Sequence, residues 1–227
     1  MRSGRTLDAI RSTLEAHYGA PAAPRTTDPF ALILWEQVAY LADDEKRLAA
    51  FGRLEERVGL TADAILAARP KTLTEIAAQG GSIASGERAE RMRESARRVV
   101  ADWGGNLRTV LELPLADAKR ALMKFPMIGE PGAEKILLFT HAHPLLAPDS
   151  NGLRALLRLG YGKEGRNYAQ SYRSVREATL PELREDCDWL ISLHELLRVH
   201  GRMLCRRSAP RCGECPLAEV CEFGMNR

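Results

Sequence analysis

Apolar residues recur at spacings of three and four from one end of the chain to the other, and no run of strict alternation long enough for a half-buried strand interrupts them. Leu7, Ile10 and Leu14 form one such stripe, ended by Gly19 and a Pro/Ala-rich linker, APAAPRTT. Asp28 then precedes Pro29, a capping carboxylate followed by a proline at the first helical position. Phe30, Ile33, Leu34, Val38 and Leu41 are expected on the buried side of the helix that follows. Further helical segments read through DEKRLAAFGRLEERVG, TADAILAAR, TLTEIAAQ, GERAERMRESARRVVADW and LADAKRALMKF, each bounded by Gly, Pro, Ser or Thr. AEKILLFTHAH, SNGLRALLRLG, NYAQSYRSVREATL and a long helix from about Pro181 to His200 complete the series. The pattern predicts an all-α protein of roughly ten helices with no internal repeat.

The 227 residues, 45% hydrophobic and 28% charged, suit one large domain or two compact lobes. No apolar run reaches the length needed to span a bilayer, and the first residues read as an amphipathic helix, not a signal peptide. A cytoplasmic location is the default expectation, nucleoid-associated if the source is bacterial. The net charge of +3 does not by itself announce a nucleic-acid partner. Arg88, Arg91, Arg93, Arg97 and Arg98 are interleaved with Glu87, Glu90 and Glu94, which reads as a solvated, salt-bridged helix. Arg198, Arg202, Arg206, Arg207 and Arg211 have no such compensation until Glu214 and could face phosphates.

The richest chemistry lies near the C-terminus. Cys205, Cys212, Cys215 and Cys221 read C-x6-C-x2-C-x5-C, and four thiolates so close together can satisfy one metal centre. Structural zinc sites usually pair two C-x₂₋₄-C knuckles, whereas this chain has one C-x2-C between two wider gaps. A cubane iron–sulfur cluster accepts such unequal gaps. A tetrahedral Zn²⁺ and a disulfide framework are the competing readings. Cys187 stands alone and reads as a reduced core thiol.

A second feature is LMKFPMIGEPGAEKILLF, two helical stretches joined by a Gly/Pro turn, which exposes N–H groups at the head of the second helix. With the cysteine loop, it makes the chain resemble the helix–hairpin–helix DNA glycosylase superfamily, in its iron–sulfur branch of endonuclease III and the MutY-type adenine glycosylases. The hairpin of that family reads close to L-P-G-V-G-x-x-T-A, and Phe125, Pro126, Met127, Ile128 and Gly129 match its first half. Eighteen residues beyond Pro131, APDSNGLRALLRLG resembles the segment carrying the family's essential aspartate, which puts that role on Asp149. LLRVHGRMLC is similar to the family's approach to its cluster, and PFALILWEQVAYL to its first barrel helix.

The resemblance implies a two-lobed fold. A six-helix barrel would span about residues 22–143, with the hairpin at about 115–142, and a helical lobe of residues 1–21 and 144–227 would hold a [4Fe-4S] cluster on the four cysteines. It further implies a monomeric base-excision enzyme that binds double-stranded DNA containing a damaged or mispaired base. That base would be flipped into a cleft between the lobes and its N-glycosidic bond hydrolysed.

Such a cleavage builds positive charge on the sugar and negative charge on the leaving base. Asp149 fits the carboxylate that stabilises the first, and it also fits an ordinary N-cap for the helix from Ser150. The resemblance makes Glu36 the candidate acid, at the position where the adenine glycosylases carry a catalytic glutamate, and partial burial at the edge of an apolar stripe would raise its pKa and keep a proton available. A solvent-facing glutamate is the alternative. Gly129, Met127, Pro131 and Gly132 of the hairpin, with Tyr40 and Leu41, are the expected DNA contacts. Leu41 stands where endonuclease III has a glutamine that fills the gap left by the flipped base.

Three departures bear on activity. Pro131 occupies the position where bifunctional members carry a Schiff-base lysine, so a monofunctional glycosylase is expected. Lys135, one turn on, is the residue through which a bifunctional glycosylase and lyase could still work, though a surface or salt-bridging role is expected of it. Met127 replaces a glycine that readily takes positive φ, and Glu130 adds negative charge beside the phosphate seat. A non-catalytic DNA-binding protein on the same scaffold is the rival of a different class.

Overall fold

The computed structural model describes residues 5–225. Twelve α-helices and four short 3₁₀ segments appear among the described residues, with no strand. The chain divides into two compact units, Arg25–Ala142 and Met1–Pro24 with His143–Arg227.

The unit of residues 25–142 is organised around α2 (Pro29–Val38), in which only Trp35 and Glu36 are not buried. A helix apolar on nearly every side belongs inside a bundle, not on its surface. The Asp28 carboxylate caps it as its sequence position predicts, accepting from the N–H groups of Phe30 and Ala31, both at 3.0 Å. Around it come α3 (Asp44–Arg57), α4 (Ala62–Ala67), α5 (Pro70–Gln79) and the longest helix, α6 (Ser85–Trp103). α6 packs on α2, α4 and α5 through Ala89, Met92, Ala96 and Val99. A 3₁₀ segment (Leu107–Glu112), α7 (Leu115–Leu122) and α8 (Glu130–Phe139) complete the unit.

The other unit joins α1 (Leu7–Tyr18) to α9 (Ser150–Leu159), α10 (Tyr168–Thr179), α11 (Cys187–Met203) and the single-turn α12 (Glu222–Met225). Leu7, Ile10 and Leu14 of α1 are fully buried and α1 packs on α11, so the stripe legible in the sequence is the one that docks. The long helix expected from Pro181 begins later. Asp186 caps α11, accepting from the Trp189 N–H at 3.1 Å, and Leu180–Glu182 forms a 3₁₀ turn. The capping carboxylate, not the proline, sets the start. Among the described residues no helix is long and apolar enough to cross a membrane.

Because one carboxylate satisfies two N–H groups at the head of the most buried helix, Asp28→Ala should destabilise the protein by about 1 kcal/mol. In urea unfolding the midpoint should fall while the slope stays unchanged.

Candidate DNA-binding and catalytic site

In the hairpin, α7 and α8 flank a turn at residues 123–129 whose Phe125 and Ile128 are buried. Met127 takes φ 66° and is exposed. The turn thus keeps a left-handed residue where glycine is usual, and the methionine bears the strain. Arg91 Nη1 lies 3.1 Å from the Met127 sulfur. Gly129 is the N-cap of α8, with Pro131 in its first turn, where a missing N–H costs no helical hydrogen bond. Gly132 sits over Ile128, leaving ordinary contact space for a methyl group at 3.5 Å. The buried Gln37 amide of α2 holds the turn by donating to Pro126 O at 2.9 Å and to Ser95 Oγ at 2.8 Å.

The expected burden of Glu130 on the phosphate seat is offset. Lys119 donates to Glu130 at 2.7 Å and to the fully buried Glu134 at 2.5 Å. Although burial works against its charge, those two partners raise the Lys119 pKa. One ammonium therefore balances two carboxylates across α7 and α8.

Glu36, near the end of α2, is partly buried as expected, but it is not held as a free proton donor. Its carboxylate accepts from the Lys135 ammonium, pairing α2 with α8. Lys135 is thus a salt-bridging lysine. Beyond α2, Tyr40 is half-exposed, and Leu41 is 79% exposed at φ 48°. Beside this segment Arg88 departs from the solvated face expected of it. Arg91, Arg97 and Arg98 do pair with Glu87, Glu90 and Glu94. Arg88 instead is fully buried and bonds the carbonyls of Val38, Gly80, Gly81 and Ile83.

In the unit holding α9, Asp149 is the N-cap of that helix. Its Oδ1 accepts from the Asn151 and Gly152 N–H groups at 2.9 and 2.8 Å, and Oδ2 from the Asn151 amide at 3.2 Å. Three donors fix the carboxylate at the positive end of a helix. Tyr168 lies nearby, its phenol pushed up to about 12 by burial and then by the Asp149 charge.

The four cysteines line one cavity with Ala155, Leu159, His200 and Leu217. Burial pushes the Cys215 and Cys221 thiols up, and the other cysteines add to it, so a cation among them would favour the ligating thiolates. A single tetrahedral Zn²⁺ draws its sulfurs to about 3.8 Å from one another. Among the described residues no three His, Cys, Asp or Glu side chains are grouped to hold one metal ion. Four sulfur donors lining one cavity are a set that either a metal ion or an iron–sulfur cluster can use.

Several residues around this loop escaped sequence reasoning. Arg154 bonds Cys205 O at 2.9 Å, Gly201 O at 2.7 Å and Asn151 Oδ1 at 2.9 Å, tying the cap of α9 to the cysteine loop. Arg158 donates to Arg206 O at 2.7 Å and lies 3.4 Å from Cys205 Sγ. Burial and then His17 push His200 down to about 4, so the ring is neutral. The Tyr18 hydroxyl lies 3.1 Å from His200 Nδ1, and Nε2 of the same ring lies 3.7 Å from Cys215 Sγ. The i, i+4 spacing of Arg154 and Arg158 was the one available signal.

The predicted residues therefore fall into two groups. Glu36, Tyr40 and Leu41 are joined to the hairpin residues Met127, Gly129, Pro131 and Gly132 through Gln37 and the Glu36–Lys135 pair. Asp149 and the four cysteines are joined through Arg154.

No family model matches the chain. It is 28% identical to an endonuclease III of Thermotoga maritima over 207 residues, 91% of this chain and 89% of that protein. Endonuclease III proteins of Bacillus subtilis and Rickettsia prowazekii match over 58% and 47% of their own lengths. Among solved structures, a trapped covalent intermediate of endonuclease III with DNA superposes with a TM-score of 0.76 at 19% identity, covering 100% of this chain and 99% of that one. A thermostable thymine-DNA glycosylase superposes with a TM-score of 0.75 at 16% identity, with 97% of each chain covered.

The fully buried Glu134 pairs with the partly covered Lys119. Lys119→Met should cost about 3 kcal/mol by removing the ammonium that offsets that buried charge, and adding Glu134→Leu should restore most of the loss. Equilibrium unfolding of both variants tests this, and a single variant as stable as the parent would refute it.

Proposed function

We propose that the chain is a member of the helix–hairpin–helix DNA glycosylase superfamily and, within it, a monofunctional base-excision glycosylase. It acts on a damaged or mispaired base in double-stranded DNA and uses water as the nucleophile. The observation that carries the reading is Asp149, a carboxylate locked by three N–H donors at a helix head. A carboxylate held so firmly stabilises the oxocarbenium character of the sugar without having to reorganise as charge develops. One oxygen, Oδ2, has only the Asn151 side chain as partner among these donors, which suits it to orient a water.

Pro131 offers no amine, and Lys135, the next candidate along α8, is engaged with Glu36. Glu36 is assigned to assist the departing base, with Lys135 controlling its hydrogen bonding. A second reading has one specific support: a protein of this fold has been trapped covalently on DNA. In that reading Lys135 gives its proton to Glu36, and its amine displaces the base from the sugar C1′ before strand cleavage, giving a bifunctional glycosylase and lyase. The exposed Leu41 and Tyr40 are assigned to the gap left by the flipped base. Cys205, Cys212, Cys215 and Cys221 are assigned as ligands of a [4Fe-4S] cluster, which would pin the arginine-rich loop when bound.

Asp149→Asn should lower single-turnover base release by on the order of 10²–10³ while leaving duplex affinity nearly unchanged. Release by this variant at the parental rate would remove Asp149 from the chemistry. Borohydride should trap no protein–DNA adduct, and an adduct that disappears in Lys135→Ala would establish the bifunctional reading instead. Binding without release across a broad panel of modified duplexes would favour the non-catalytic one. Anaerobically purified protein should be brown and carry about four irons per chain. A colourless protein with one zinc would overturn the cluster assignment.

A further inference from the structure

α2 and α5 end beside one another. The Tyr40 N–H donates to Gly80 O at 3.0 Å, and the two glycines that follow α5 fit with no space to spare. A methyl group on Gly80 would lie 2.4 Å from Val38 O, and one on Gly81 2.7 Å from Tyr40 O. Into this junction α6 sends the fully buried Arg88. Its Nη1 donates to Val38 O at 2.6 Å and Gly80 O at 3.4 Å, its Nη2 to Gly81 O, and its Nε to Ile83 O at 3.2 Å. The two segments bound in this way carry two exposed apolar side chains, Leu41 at 79% and Ile83 at 55% exposure. Leu41 at φ 48° and Ala84 at φ 51° hold left-handed conformations that side chains rarely adopt. Such conformations persist only where surrounding contacts over-determine them, and Arg88 supplies four of those contacts.

We propose that Arg88 is a positioning residue for DNA intrusion, holding the Leu41 and Ile83 segments in the shape that enters the duplex. The inference rests on the DNA-glycosylase reading above. Prising base pairs apart is costly, and a wedge ordered only on insertion would add its own ordering entropy to that cost. A guanidinium suits the task because its planar fork reaches several carbonyls at once, which an ammonium cannot do in one geometry. Arg88 touches no DNA in this scheme. It acts through the backbone of the residues that do.

The experiment places 2-aminopurine opposite an abasic-site analogue and follows its fluorescence as the protein separates the bases. Arg88→Lys and Gly81→Ala, which perturb the junction from opposite sides, should lose at least about fivefold of the fluorescence gain. Their affinity for the same duplex should stay within about threefold of the parent, since no phosphate contact is removed. Leu41→Gly should lose the signal with Arg88 intact. If both junction variants fold and keep the full gain while Leu41→Gly loses it, the Arg88 proposal is wrong and the glycosylase reading stands. If the parent neither separates bases nor releases one from any duplex, both fall. Hydrogen exchange of the parent needs no variant. The Tyr40 amide should be protected as strongly as the interior of α2, and rapid exchange there would overturn the proposal.

Discussion

Where α2 and α5 end side by side, the carbonyls of Val38 and Gly80 have no helix left to satisfy them, and both helices present the negative ends of their dipoles. Two half-charges of that kind roughly match one guanidinium. Arg88 therefore needs no carboxylate to be tolerated in the interior, although burial, Arg47 and Arg91 all press its pKa down. Much follows from that single placement. Gly80 and Gly81 must lack side chains because the chain ends approach within contact distance, and Ala84 must turn left-handed so that α6 starts in register to deliver the arginine. Leu41 is then held outward at the end of a buried helix that could not have presented it from its own length.

The unit of α9 and α11 repeats the device with different partners. Arg154 bonds two carbonyls of the α11 end and the side chain of Asn151, which itself holds Asp149. Gly201 is packed so tightly that a methyl group there would lie 2.4 Å from Asn151 O. The capping carboxylate and the cysteine loop thus share one hydrogen-bonded frame. Anything that stiffens the loop stiffens the head of α9.

What could be read from the sequence was local. Asp28, Thr61 and Asp149 announce their helices because a cap acts within three residues, and the stripes of α1 and α2 follow from helical period. What could not be read depends on residues far apart. Glu36 meets Lys135 across 99 positions, and Arg88 meets Val38 across 50. Arg88 was hidden further by its neighbours, since an arginine among glutamates looks like one more exposed ion pair. The Pro181 start failed for a related reason: proline tolerates a helix head, whereas Asp186 actively caps one. Met127 is instructive in the other direction. Losing the glycine suggested a lost conformation, yet the turn keeps φ 66° because Gln37 and the buried Phe125 and Ile128 fix it from outside.

Pro131 gains its meaning from the same frame. In the first turn of α8 a proline is locally favourable, since its ring sets the helical φ and the absent N–H has no helical acceptor to lose. An amine-bearing side chain there would have to be retained for its chemistry; a proline is retained by folding alone. Lys135, one turn along the helix, is taken up by Glu36, and Lys119 of α7 is committed to two carboxylates. Each of these ammonium groups is thus bound to a carboxylate, and freeing one would leave a partly or wholly buried carboxylate behind. Under the proposed reading that balance favours water over lysine as the nucleophile.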